Sequence, residues 1–140
     1  MHTIKNSECN FTYRSSIFKQ NKKMIIVSST FKLTKTKENL KTLIDERMKK
    51  RISTQPLDKP SAGSVFKNPE GVSAGKLIED TGLKGKQIGG AKVSEKHANF
   101  ITNDGNATGE DIKKLVKYVS DEVEEKYNIR LETEQEFINF

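Results

Sequence analysis

The feature that most limits what this chain can fold into is a switch of hydrophobic period near residue 108. Thr108 and Asp111 have the spacing of a capping box, in which a hydroxyl and a carboxylate each accept a backbone N–H that a helix start leaves over. Ile112, Leu115, Val116, Val119 and Val123 then recur at intervals of three and four as far as Tyr127, so they share one face of a long helix. Asn128 can adopt the left-handed conformation that closes it. Immediately upstream, HANFITN at 97–103 is short and apolar, and Asp104-Gly105 is a turn signal. A strand feeding a one-faced helix requires a sheet for that helix to cover.

The rest of the chain supplies further elements. Ile25, Val27, Phe31 and Leu33 alternate within MIIVSSTFKL, residues 24–33, which predicts a strand. Thr36 can cap a helix over about 37–50, where Leu40, Leu43, Ile44 and Met48 form an apolar stripe. Between Ile52 and Ala74 lie all three prolines, at 56, 60 and 69, with Gly63 and Gly71, which predicts ordered loop broken by short extended pieces. Ser73 can cap a short helix holding Ala74, Leu77 and Ile78, with Gly82 ending it. Ile129, Leu131 and Thr133 alternate with Arg130, Glu132 and Glu134, which predicts a last strand. These elements predict an α+β two-layer sandwich, a mixed sheet with helices packed on one face.

Composition excludes more than it selects. A chain of 140 residues with 33% hydrophobic residues suits one compact domain with a modest core. The net charge of +6 is compatible with phosphate-bearing ligands. The basic residues sit in mixed runs such as 19–23 and 47–51 with few aromatics among them, so a solvated surface is preferred to a nucleic-acid interface. Cys9 is the single cysteine, which rules out an intrachain disulfide or a thiolate cluster. No apolar run reaches the ~20 residues that span a bilayer, and the first residues do not resemble a signal peptide. A soluble chain in the cytoplasm is expected. There is no HExxH, CxxC or P-loop pattern to argue for a metal or nucleotide site. The glycines of Gly85–Gly90 do not follow a strand and open a helix, so a tight turn between close backbones is expected there. His97, beside Ala98 and Phe100, reads as a structural histidine.

SAGSVFKNP, residues 61–69, carries the most chemical information. Ser64 follows a glycine in a proline-bounded loop, where its hydroxyl can meet a ligand or simply bond locally. Lys67 in the same loop can meet a phosphate or carboxylate, or remain solvated.

Four motifs in order then suggest a family: FTYRSSIF at 11–18, QPLDKPSAGSVFKNP at 55–69, AGKLIEDTGLKGKQIGGAKVSEKHANFITN at 74–103, and LETE at 131–134. Together they resemble the C-terminal half of the bacterial UDP-N-acetylenolpyruvoylglucosamine reductases. The resemblance implies the substrate-binding and proton-donating part of an enzyme that uses NADPH and FAD. That enzyme reduces UDP-N-acetylglucosamine enolpyruvate to UDP-N-acetylmuramate, a peptidoglycan precursor. In the family a hydride from reduced FAD reaches the enolpyruvyl methylene carbon and a serine hydroxyl protonates the neighbouring carbon; Ser64 matches that serine. Arg14, from the YR pair, matches an arginine that meets the charge pushed into the substrate carboxylate. Glu134 matches a glutamate acting beside it, a role that calls for surroundings that raise a carboxyl pKa. Asn68 and Gln87 match substrate-contacting positions. The compact spacing from KNP to AGKLIE resembles the shorter subtype without a tyrosine loop.

Nothing before Phe11 resembles the family's glycine-rich FAD loops. The expected division is therefore a junction remnant at 1–23 carrying the YR pair and a substrate-binding domain at 24–140, with a separate FAD-binding domain as partner. A flavin-free module that keeps the pocket for a UDP-sugar is the alternative. Gln135 and Asn139 depart from the apolar residue and glycine usual in the family.

Overall fold

The computed structural model describes residues 2–138; Asn139 lies outside them. It divides into two compact units, Met1–Glu38 and Asn39–Phe140.

The first unit holds a 3-10 turn at Asn6–Glu8 and a short helix α1 (Ile17–Gln20). Residues 24–33 form no strand, and Ile25, Val27, Phe31 and Leu33 are 71–86% exposed. Alternation defines a face for a strand, but a ladder also needs a neighbouring backbone, and no described strand pairs with this one.

The second unit begins with α2 (Leu40–Thr54). Its cap is Asn39, whose Oδ1 accepts from the N–H groups of Lys41 and Thr42 at 3.1 and 3.4 Å. Thr36, expected in that role, instead accepts from the Glu38 N–H at 3.1 Å. The helix runs four residues past the expected end because the first breaker is Pro56, which holds Gln55 in an extended conformation (φ −123°, ψ 147°).

β1 (Ser61–Ser64), β2 (Gln87–Ile88), β3 (Ala91–Val93) and β4 (Phe100–Asn103) form one sheet in the order β1-β4-β3-β2. The α+β class is as expected, but every pairing is antiparallel, where a mixed sheet was anticipated. Short links explain this: a parallel pair needs a crossover of a dozen or more residues, whereas Gly89 and Gly90 alone join β2 to β3, and residues 94–99 join β3 to β4. Gly90 is obligatory at that first turn, because a Cβ there would lie 2.3 Å from the Gly105 carbonyl oxygen.

α3 (Ala74–Asp80) starts at Ser73, whose hydroxyl accepts from the Lys76 N–H, and Gly82 follows it at φ +81°. α4 (Gly109–Tyr127) has both bonds of the Thr108–Asp111 capping box and ends on left-handed Asn128. It packs across β2 and β3, with α3 beside it. Leu115, Val116, Val119 and Val123 of α4 meet Val65, Phe66, Ile78, Val93 and Ile101 in the core. Each such side chain contributes about 1.5–3 kcal/mol of transfer free energy as an upper estimate, which makes α4 the main anchor of the sheet.

The expected strand at 129–133 is reduced to a single bridge, Phe66 to Thr133. Lys67 N–H donates to the Glu132 carbonyl and Glu134 N–H to the Val65 carbonyl, both at 2.8 Å. The next hydrogen-bonded pair would match Arg130 with Pro69, which has no N–H to give.

Candidate functional site

Ser64 closes β1, an edge strand, and is half-buried. Gly63 at φ +82° precedes it, and the register between β1 and β4 shifts between Ser61 and Ser64. A residue with a Cβ is strained at that φ, so the glycine permits the bend that leads into the buried pair Val65 and Phe66.

What holds that bend is Asn99, which is 4% exposed. Its backbone carbonyl accepts from the Val65 N–H at 2.9 Å. Its side-chain oxygen accepts from the Phe66 N–H at 2.9 Å and its amide donates to the Phe66 carbonyl at 2.8 Å. Phe66 faces Thr133 in a non-hydrogen-bonded pair, so its own N–H and C=O point to the other side. The Asn99 amide meets them there as a strand would. Sequence reasoning passed over Asn99; the available signal was an amide inside an otherwise apolar run, since a buried polar group needs partners.

On the opposite side, the Glu134 N–H bonded to the Val65 carbonyl brings Glu134 alongside the residue that follows Ser64. Glu134 is half-buried. Ser64 and Glu134, seventy positions apart, are thus brought to one edge of the sheet.

The other candidates lie differently. Asn68 accepts from the Ala74 N–H at 3.0 Å, which ties the loop to the start of α3. Lys67 pairs through Nζ with Glu132. Gln87 is on β2, the far edge of the sheet, and donates to the Gly89 carbonyl at 2.8 Å. Two strands separate it from Ser64, about 14 Å at the usual strand spacing, so the sheet does not bring these two together. Arg14, in the first unit, occupies the third place of a turn closed by the Thr12 and Ser15 backbones, at φ +56°. Its guanidinium lies 5.6 Å from the Tyr13 ring centroid. A non-glycine residue in the left-handed region costs about 1–3 kcal/mol and is enriched at functional sites.

His97 is as expected for a structural residue: its Nδ1 accepts from the Asn99 N–H at 3.2 Å and its ring packs 4.9 Å from that of Phe100. Burial lowers its pKa from the ordinary 6.5. A cleft of about 550 Å³ lies between α4 and residues 130–133, but neither Ser64 nor Glu134 lines it. Among the described residues no group of three His, Cys, Asp or Glu could hold a metal ion, and no helix is long and apolar enough to cross a membrane.

The glycine pair at the β2–β3 turn does not fit a flavin pyrophosphate. A Cβ on Gly89 would meet the Asp111 carboxylate at 2.4–2.5 Å. The same carboxylate accepts the Thr108 N–H and is held below its ordinary pKa by that bond first. An anion already fills the space and would repel a phosphate.

Comparison with known proteins bears on this arrangement. Residues 55–138 match the family profile described as UDP-N-acetylenolpyruvoylglucosamine reductase, C-terminal domain. The reductase of that name from Fervidobacterium nodosum is 55% identical over 132 residues, covering 93% of this chain and 43% of the relative. The one from Thermotoga maritima is 51% identical over 135 residues, covering 95% and 47%. The crystal structure of the UDP-N-acetylenolpyruvylglucosamine reductase from Thermus caldophilus superposes with a TM-score of 0.60 at 42% identity, covering 72% of this chain and 35% of that one. The chain therefore spans less than half the length of these relatives.

Proposed function

The chain belongs to the family of UDP-N-acetylenolpyruvoylglucosamine reductases, whose C-terminal domain it carries, and from that premise we propose that it forms the substrate-binding and proton-donating half-site of such an enzyme. The substrate is UDP-N-acetylglucosamine enolpyruvate and the product UDP-N-acetylmuramate. The hydride comes from FAD, recharged by NADPH and held by a polypeptide portion outside these residues; the misfit of the Gly89–Gly90 turn to a phosphate supports that division.

Within the chain, the Ser64 hydroxyl gives its proton to the substrate carbon next to the one that receives hydride. A serine is a weak acid, so the transfer depends on fixed geometry beside a strongly basic carbon. Glu134 and Arg14 offset the charge that develops on the substrate carboxylate, Arg14 on the strength of its place in the YR pair. Asn68, Gln87 and Lys67 contribute to substrate binding. The observation that carries the reading is the backbone pairing of Val65 with Glu134 at 2.8 Å, which gathers two family positions from opposite ends of the domain. The reading assigns the protein to the cytoplasm, and a free Cys9 accords with a reducing compartment.

The test uses a reconstituted reductase in which the flavin-binding portion of a relative precedes this chain. With Ser64→Ala, product formation should fall by about 10²–10⁴, the usual share of a positioned acid, while oxidation of the reduced flavin by substrate persists. Unchanged product formation removes Ser64 from the mechanism.

A further inference from the structure

α2 carries Leu40, Ile44, Met48 and Ile52 at intervals of four, hence along one face, and they are 54, 61, 46 and 54% exposed. None of its fifteen residues is buried. α3 and α4, in the same unit, both bury apolar side chains, so an uncovered stripe on α2 is a property of this helix. A contiguous apolar surface of this kind marks an interaction site.

The comparisons say what would cover it. α2 ends at residue 54, just before the stretch that matches the reductases' C-terminal domain begins at 55. The relatives nevertheless match this chain over 132–135 residues, so they have a counterpart of α2, and it lies in the portion that precedes their C-terminal domain. More than half of each relative's length has no counterpart in these 140 residues. We propose that the Leu40–Ile44–Met48–Ile52 face is the docking surface for that preceding, flavin-binding portion of the reductase. The flanks carry Lys41, Arg47, Lys49, Lys50 and Arg51 against Asp45 and Glu46, so the partner surface is an apolar groove with an acidic rim. The proposal rests on the functional reading above only in naming the partner as flavin-binding.

Met48 provides a direct probe, because a thioether oxidises according to its exposure to the reagent. The 140-residue chain and a fusion in which the preceding portion of the Thermotoga maritima reductase is joined to it are treated with hydrogen peroxide, and Met48 sulfoxide is followed by mass spectrometry. Docking should slow oxidation in the fusion by at least about tenfold. Ile44→Asp, at a site exposed in the chain, should restore the rate and release the portion when the two pieces are mixed unfused. Equal rates in chain and fusion overturn the proposal. So does protection already present in the chain through self-association, read by sedimentation, or protection by anionic lipid vesicles but not by the fused portion. Substrate titration of the same fusion separates the two readings: protected Met48 without substrate binding sinks the half-site and leaves the docking face standing.

Discussion

Replacing Asn99 by alanine removes the side chain that meets Phe66 and leaves everything around it in place. Phe66 is 2% exposed, and its N–H and C=O each have the Asn99 amide as partner, at 2.9 and 2.8 Å. Water does not reach them, and an orphaned buried backbone group costs about 1–3 kcal/mol. Two of them put the loss at about 2–5 kcal/mol, a large part of the ~5–15 kcal/mol that holds a domain together. With a urea slope of about 1–3 kcal/mol per molar, the midpoint should drop by roughly 1–3 M. Because the loss is local to the bend after Ser64, the amides of Val65 and Phe66 should lose hydrogen-exchange protection before those of Val119 and Val123. A midpoint unmoved beyond about 0.5 kcal/mol, the range of ordinary surface substitutions, would show that the Asn99 amide is not what satisfies Phe66.

Gly90→Ala places a Cβ 2.3 Å from the Gly105 carbonyl oxygen and 2.4 Å from the Ala107 nitrogen, both backbone atoms. It should cost about 1–3 kcal/mol of overpacking, read as a lower melting temperature, and an unchanged one disproves the close approach. His97 is held neutral by burial, which lowers its pKa below 6.5. Its contribution is then fully present above pH 6.5 and lost as the pH falls through the lowered value; urea midpoints between pH 7 and 5 should decline, and His97→Gln should flatten the decline. Thr108→Ala removes the hydroxyl that accepts from the Asp111 N–H at 3.1 Å and should cost about 1 kcal/mol, measured by denaturation; a negligible loss would mean that Asp111 alone secures the helix start.

Local chemistry was legible residue by residue. The Thr108–Asp111 box, the closing Asn128, the Ser73 cap and the glycine turn at 89–90 depend on side chains within a few positions of the backbone groups they serve, so spacing alone reveals them. The motifs around Arg14, Ser64 and Glu134 identified the family in the same way. Pairing was not legible. The alternation at 24–33 specifies a face, yet the segment finds no neighbouring strand. The alternation at 129–133 yields one bridge because a proline elsewhere in the chain interrupts the ladder. Nor could spacing reveal that Asn99 clamps Phe66 across thirty-three positions, or that Gln87 and Ser64 stand on opposite edges of the sheet. Hydrogen bonds inside a turn or helix end are set by neighbours in sequence; those between strands are set by whichever backbone the closed core brings alongside. For this protein the sequence by itself determined the element starts and stops and the family. The tertiary structure decided which of its apolar faces found a partner, and that of α2 did not.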